Sequence, residues 1–369
     1  MPSRPSNPHD QFAPGQASEV AVVRTGETVD AAKAADPSPT RNRVFPGEEA
    51  YLVQLSRPAM ACRFEITLNA GQHDEGSEAA LAALDLIEEL ESQLTVYRDT
   101  SEVARINQSA TESPVQIEQR LFELLQTAQR LSAETGGAFD VTSGPLTKIW
   151  GFYRRNGAIP AACELSTAMQ SVGSDQLEFD AAERTVHFLR RGMELNLGAI
   201  GKGYALDRAA ETMAAAAVEN FLIHGGQSSV LARGSRGLSA NGGWSVGIGH
   251  PLNPERRLAE VWLRDRALAT SGASHQFFRH QGKRYGHILD PRTGWPAEGV
   301  LSSTVLAPTA AEADALSTAF YALGVTEAQA WLRGRPEIGA LLVHPSPDRS
   351  SIEITVCGLT ENDWRLTSI

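Results

Sequence analysis

Leu195-Asn196-Leu197-Gly198-Ala199-Ile200-Gly201-Lys202-Gly203-Tyr204-Ala205-Leu206-Asp207 is a glycine-rich turn that runs straight into a helix pattern of Ala209, Ala210, Met213, Ala216 and Ala217. Glycines let backbone approach a ligand, and the open N–H groups and dipole of a helix start favour an anion there. Neither loop of a doubly wound nucleotide-binding sheet is present. Gly203, not Ser or Thr, follows Lys202, and the glycine spacing fits neither a Walker A loop nor a dinucleotide fingerprint. As residues alone, the stretch serves equally well as a tight strand-to-helix turn. Outward from it, short strands alternate with turns at 176–180, 185–189, 193–197, 220–224, 228–233, 244–249, 258–263 and 267–270. Gly225-Gly226 and Gly242-Gly243 mark bends among them. Earlier come strands near 52–57 and 63–68. A helix from about Ser77 to Leu94 then carries Ala80, Leu84, Ile87, Leu90 and Leu94 at helical spacing, and another runs from about Gln119 to Glu134. Strands at 301–307, 338–343 and 352–357 and a helix near 326–333 complete the pattern. Runs of strands with a few long helices predict an α+β fold.

Composition bounds the function. The chain has 369 residues, 42% of them hydrophobic, enough for a large core. Its net charge of −11 excludes sequence-blind nucleic-acid binding, which needs a basic face. No segment approaches the roughly 18 consecutive apolar residues of a membrane span. Cys62, Cys163 and Cys357 are scattered, without metal-site spacing, and read as idle thiols in a reducing compartment. The first 46 residues are polar and punctuated by Pro2, Pro5, Pro8, Pro14, Pro37 and Pro39, so disorder is expected. They show no apolar signal core, twin arginine or lipid-attachment cysteine, and the chain as given reads as cytoplasmic.

His287-Ile288-Leu289-Asp290-Pro291-Arg292-Thr293-Gly294 sets an imidazole, a carboxylate and a guanidinium at the end of a strand. Pro291 removes a backbone donor and Gly294 frees the next bend, so a loop carries the polar groups. Such a loop suits acid–base chemistry, and equally a turn whose side chains cap one another. Thr309-Ala310-Ala311-Glu312 has the form of a capping box, opening a helix that stops at Gly324. Asp314 and Thr318 stand four apart on one face of it, with Leu316, Phe320 and Leu323 facing the core. A carboxylate and a hydroxyl on adjacent turns are hard ligands of the kind Mg²⁺ takes. An isolated pair of this kind is more often a solvated Asp and a Thr bonded back to its helix.

Five ordered blocks carry a family likeness. Met60 precedes the strand Arg63-Phe64-Glu65-Ile66-Thr67-Leu68, and Leu94-Thr95-Val96-Tyr97-Arg98-Asp99-Thr100-Ser101-Glu102 follows the first helix with Ile106-Asn107. Thr135-Gly136-Gly137-Ala138-Phe139-Asp140-Val141-Thr142-Ser143-Gly144-Pro145-Leu146 leads to Ile149-Trp150-Gly151-Phe152. Leu268-Ala269-Thr270-Ser271-Gly272 and the 287–294 loop complete the set. Over about Met60 to Leu323 the chain resembles the ApbE family, the FAD:protein FMN transferases. The resemblance implies T-fold-related mixed sheets with packed helices, in one large domain of two lobes over 47–369. It implies that Met60, Tyr97, Ala138, Phe139, Asp140, Asn196, Lys202 and Ile288 meet FAD. It implies further that the Ala199 carbonyl, Asp314 and Thr318 hold Mg²⁺ and that His287 is the general base.

The activity implied is Mg²⁺-dependent transfer of FMN from FAD to a Thr or Ser hydroxyl of an acceptor redox flavoprotein, such as a quinone-reductase subunit, with release of AMP. Two other classes stay open: an FAD pyrophosphatase giving FMN and AMP, and a flavin-binding module without chemistry. His287, Asp314 and Thr318 weigh against the last. The sequence departs from the family pattern in three places. Asn196 stands at a usual Asp, Met60-Ala61-Cys62 replaces the usual Met-Gly-Thr, and Gly272-Ala273-Ser274-His275 lacks the common acidic and aromatic residues. Asn196 keeps hydrogen-bonding capacity but brings no charge.

Overall fold

In the computed structural model, which describes residues 21–25, 51–154, 156–237, 242–273 and 276–367, the first half of the chain alternates helices with short strands. Its elements are β1 (Ala21–Thr25), β2 (Leu52–Ala59), β3 (Cys62–Asn69), α1 (Gly76–Leu94), α2 (Glu102–Ser109), β4 (Val115–Gln116), α3 (Gln119–Glu134), α4 (Gly144–Ile149), α5 (Ala162–Met169), β5 (Leu177–Asp180), β6 (Thr185–Phe188) and α6 (Gly201–Ala215). The second half is mostly strand: β7 (Phe221–Gly225), β8 (Ser229–Arg233), β9 (Trp244–His250), β10 (Asn253–Leu263), β11 (Ala267–Gly272), β12 (Phe277–His280), β13 (Lys283–Gly286), β14 (Ser302–Ala307), α7 (Ala310–Leu332), β15 (Gly339–Pro345), β16 (Ile352–Cys357) and β17 (Trp364–Leu366).

Nine strands form one antiparallel sheet in the order β1-β16-β15-β14-β11-β8-β7-β3-β2. Side-chain alternation assigns its two faces. Leu231, Ala269 and Val305 point to the main core with α1, α6 and α7. Val230, Leu268 and Leu306 point the other way, onto Trp244, Ile248, Leu258 and Val261 of the small sheet β17-β10-β9. The central sheet is therefore covered on both faces, which is why β14 and β16 are buried at every position rather than at every second one. The α+β architecture is the expected one. α7 lies across β8, β11 and β14 and against α6, at the middle of the sheet.

Several expectations need correction. Residues 193–197 are not a strand. Leu195 pairs its N–H and carbonyl with the Asn107 side chain, and Asn196 N–H donates to the Val141 carbonyl at 2.7 Å, so a side chain and a loop replace the ladder. The two helices expected on either side of Gly324 are borne out: Gly324, at φ 77° and ψ 175°, breaks α7 into the two. α2, α4, α5 and the β12–β13 hairpin went unread, being too short to show a period. Of the stretch expected to be disordered, only Ala21–Thr25 lies within the described residues, and there it pairs with β16 from Ala21↔Val356 to Thr25↔Ile352.

Met60 and Ala61 form the two-residue turn joining β2 to β3, with φ of 49° and 58°. Positive φ at both positions is what a tight hairpin matching strand twist demands, and a side chain in that region costs about 1–2 kcal/mol. Ala61→Gly should raise stability by about 0.5–1 kcal/mol after glycine's extra chain entropy is subtracted. A denaturant midpoint that does not rise would refute this.

Candidate active site

The start of α6 and the first turns of α7 meet face to face, and glycine makes the meeting possible. A Cβ on Gly203 would fall 2.0 Å from the Ala310 carbonyl oxygen. The contact sets the Gly203 N–H on one oxygen of Asp314, at 3.0 Å. Ser229 donates to the other oxygen at 3.1 Å, and the Lys202 ammonium lies 3.7 Å from that same atom. Asp314 is 4% exposed, so it is not the solvated aspartate of an ordinary helix face. One turn on, the Thr318 hydroxyl lies 3.0 Å from that of Ser271, which also reaches Ser317 at 2.8 Å. Among the described residues, the Ser303 hydroxyl, buried beside Ser271 in the register, has no hydrogen-bond partner. Sequence reading did not single out Ser229, Ser303 or Ser317, because an isolated serine in a strand or helix carries no period.

This junction gathers Lys202, Asp314 and Thr318, with Ala199 just ahead of the helix start. Its donor set is one carboxylate with hydroxyls and no imidazole or thiolate ligand cluster. Among the described residues, no group of three or more His, Cys, Asp or Glu could hold a metal. Such a set fits Mg²⁺ held jointly with substrate phosphates and water, rather than an all-protein cage. Cys62 stands close enough to feel Lys202 and Asp314. Burial pushes its thiol up, Glu91 and Asp314 add to the rise, and Lys202 opposes it.

A second feature is a cavity of about 190 Å³ lined by Val96, Lys148, Tyr153, Glu194, Leu195 and Asn196 among others. Tyr97, 67% exposed, packs its ring on Tyr153 with centroids 4.7 Å apart, while Tyr153 donates its hydroxyl to the Val96 carbonyl. Lys148 is paired with Glu194 on the same wall. The Asn196 side-chain oxygen accepts from Gly198 N–H at 2.9 Å, bracing the turn that runs on to Ala199 and α6.

Ala138, Phe139 and Asp140 sit deeper than a ligand-facing reading implies. They are 0%, 2% and 8% exposed. Asp140 accepts from the Ser132 hydroxyl, the Thr142 N–H and hydroxyl, and the Ser174 N–H and hydroxyl. Five donors saturate that carboxylate, so its side chain holds α3, the 138–142 segment and the turn at 174 together.

The third feature is the 287–294 loop. His287 is half-buried, and its Nδ1 lies 3.0 Å from the Gln276 carbonyl, which also accepts the His287 N–H. A carbonyl can only accept, so Nδ1 carries the proton and Nε2 is the basic nitrogen. Ile288 is buried with Val300 and Tyr321, one turn beyond Thr318 on α7. Asp290 does cap its own turn, as the bland reading proposed. It binds the Arg292 guanidinium at 2.9 Å, and Arg292 reaches on to Glu327 and the Ala322 carbonyl.

A family model described as the ApbE family matches residues 60–342, and the chain belongs to that family. It is 32% identical over 286 residues to a protein of Klebsiella pneumoniae (strain 342) named FAD:protein FMN transferase, covering 77% of this chain and 87% of that one. A protein of the same name from Treponema pallidum (strain Nichols) is 34% identical over 273 residues, covering 70% and 75%. Among solved structures, an ApbE protein of Thermotoga maritima matches with TM-score 0.73 at 28% identity, over 82% of this chain and 96% of that one. The flavin transferase ApbE from Vibrio cholerae matches with TM-score 0.72 at 28% identity, over 84% and 97%.

Asp207, which closes the glycine-rich stretch, holds the start of α7. Its two oxygens accept the Ala310 and Ala311 N–H groups, both at 2.8 Å, beside the Thr309 cap. Burial raises its carboxyl from the ordinary 3.8 to about 6; the two amides and Arg233 oppose the rise and Glu211 adds to it. A carboxyl raised on folding contributes stability fully below its unfolded value, and that contribution is lost as pH climbs to about 6. Asp207→Asn should flatten the fall in unfolding free energy between about pH 4 and 6, measured by urea titration at several pH values. An unchanged slope would assign the titration to another group.

Proposed function

We propose that this chain transfers the FMN moiety of FAD to a Thr or Ser hydroxyl of an acceptor flavoprotein and releases AMP. The observation that carries the reading is the junction of α6 and α7, an anion-favouring helix start with buried hard oxygen donors. The names of the relatives supply the reaction; the junction and the loop supply residues able to perform it.

In this reading the FAD pyrophosphate lies at the start of α6. Lys202 binds it, and Asp314, Thr318 and the Ala199 carbonyl would hold Mg²⁺ against it. A bound Mg²⁺ supplies neutralisation of the charge that builds on the FMN phosphorus and on the departing phosphate of AMP. Tyr97, Met60, Asn196 and Ile288 would meet the rest of FAD. The buried Ala138, Phe139 and Asp140 would do so through backbone and by shaping the wall. The acceptor hydroxyl gives its proton to Nε2 of His287 as its oxygen bonds to the FMN phosphorus. The bond from that phosphorus to the AMP oxygen breaks, and AMP departs with the electron pair. The Gln276 carbonyl stabilises the imidazolium formed, since it already accepts from Nδ1.

Cys62, Cys163 and Cys357 are all free thiols. No helix among the described residues is long and apolar enough to cross a membrane.

Incubation with FAD, Mg²⁺ and a Thr-bearing acceptor should add the mass of FMN to the acceptor. Release of FMN and AMP with no adduct would instead make the protein a pyrophosphatase. His287→Ala should lower single-turnover transfer at saturating FAD by roughly 10²–10⁴-fold and remove the acid limb of the pH–rate profile. A variant that keeps the limb and only needs more FAD would make His287 structural. Asp314→Ala should abolish transfer while FAD still binds, and Thr318→Val should weaken Mg²⁺ dependence less severely. Full activity of Asp314→Ala at limiting Mg²⁺ would refute the metal assignment.

A further inference from the structure

Three hydroxyls between β11 and α7 form a chain in which the direction of every hydrogen bond is fixed by counting protons. Ser317 is fully buried and donates to the Asp314 carbonyl at 2.9 Å. A carbonyl can only accept, and a serine has one proton, so Ser317 has none left for its second contact. That contact is with Ser271 at 2.8 Å, and Ser271 must be its donor. The Ser271 proton is then committed in its turn. The remaining contact, between Ser271 and Thr318 at 3.0 Å, is left with Thr318 as its donor. Three hydroxyls supply three protons to three bonds, and no other assignment makes all of them.

The neighbours leave this order undisturbed. Ser303 is the cross-strand partner of Ser271, so both side chains lie on the face of the sheet that meets α7. Among the described residues the Ser303 hydroxyl has no hydrogen-bond partner, so it neither gives Ser271 a proton nor takes one. A threonine inside a helix commonly bonds back to the carbonyl four residues earlier, which for Thr318 is that of Asp314. Ser317 bonds to that carbonyl instead, and the Thr318 hydroxyl is turned to the sheet.

A hydroxyl that binds a cation must turn its lone pairs to the cation and its proton elsewhere. Thr318 keeps part of its surface open, whereas Ser317 does not. With its proton held by Ser271, Thr318 has only lone pairs to offer on its open side. The chain also ends on the backbone of Asp314, the residue whose carboxylate is the other hard donor of this helix face. One helical turn thus carries both donors, and the hydroxyl chain ties its two ends to β11 and to each other.

We propose that Ser271 is a positioning residue for the metal. By accepting the Thr318 proton it holds that hydroxyl as an oxygen donor towards Mg²⁺, and Ser317 completes the chain by accepting from Ser271. This rests on the metal assignment proposed above. A hydroxyl free to rotate would spend part of its time with the proton aimed at the cation. Fixing it beforehand removes that loss, as partners behind a ligand do in metal sites generally.

The test reads metal binding rather than turnover. Mn²⁺, which accepts the same hard oxygen ligands, is titrated into the full chain with FAD and no acceptor, and free Mn²⁺ is followed by its EPR signal. Thr318→Val should weaken binding, as the metal assignment requires. Ser271→Ala should weaken it by roughly 10–100-fold. Ser317→Ala leaves β11 untouched but frees the Ser271 proton to turn towards Thr318, and should weaken binding by a smaller factor. In the Thr318→Val background Ser271→Ala should change nothing further, because it acts only through that hydroxyl. Wild-type affinity in Ser271→Ala or in Ser317→Ala overturns the positioning role. So does a Ser271→Ala loss that is undiminished in the Thr318→Val background, which a merely structural serine would give. With Thr318→Val weakened, those results leave Thr318 a ligand. If Thr318→Val binds Mn²⁺ as tightly as wild type, the metal assignment fails at Thr318 and the positioning role fails with it.

Discussion

The close approach of α6 to α7 is the constraint on which the rest of the structure depends. Buried carboxylates are costly unless every oxygen is satisfied, and Asp314 is satisfied by three groups from two separate elements. The Gly203 N–H comes from α6, the Ser229 hydroxyl from β8, and the Lys202 charge from the same helix start. These meet only because position 203 has no side chain and Asp207 draws the first amides of α7 onto α6. The central sheet follows from this, since β8, β11 and β14 form the floor on which α7 rests. Ser229, Ser271 and Ser303 sit on the face of the sheet that meets that helix. A sheet covered on both faces can carry such residues where a helix answers them.

Much of this was legible where a regular period operates. The apolar spacing in α1, the turn-bounded strands of the central sheet and the Thr309 start of α7 are local signals, and local chemistry decides them. The ApbE blocks located the candidate site because they mark backbone geometry as well as chemistry. Legibility ended where a partner lies far along the chain. Asp140 resembles a ligand-facing carboxylate until Ser174, 34 residues on, is seen to donate to it twice. Asp207 reads as an ordinary helix residue, yet its partners begin 103 residues later. Residues 193–197 have the apolar alternation of a strand, but Asn107 and Val141 hold their backbone groups and no ladder can form.

The same reasoning separates two kinds of candidate residue. Lys202, Thr318 and His287 keep part of their surface open, and the buried Asp314 lies against Lys202. Ala138, Phe139 and Asp140 are instead absorbed into the frame, and their identity is fixed by what they support. A motif match does not distinguish the two, because a residue can be essential to the shape of a wall without presenting any atom to what lies against it.

The break at Gly324 also bears on motion. A glycine at φ 77° and ψ 175° inside a helix is a natural hinge, and left alone it would let the last two turns of α7 swing apart from the turns bearing Asp314 and Thr318. Arg292 spans it as a splint: it bonds to the Ala322 carbonyl before the break and to Glu327 after it, while its other side is bound to Asp290 in the histidine loop. Bending at the hinge would therefore have to pull apart a charged contact and drag the loop along. The Arg292 contacts thus tie the histidine loop to both halves of the helix, so bending at Gly324 and movement of the loop are mechanically linked.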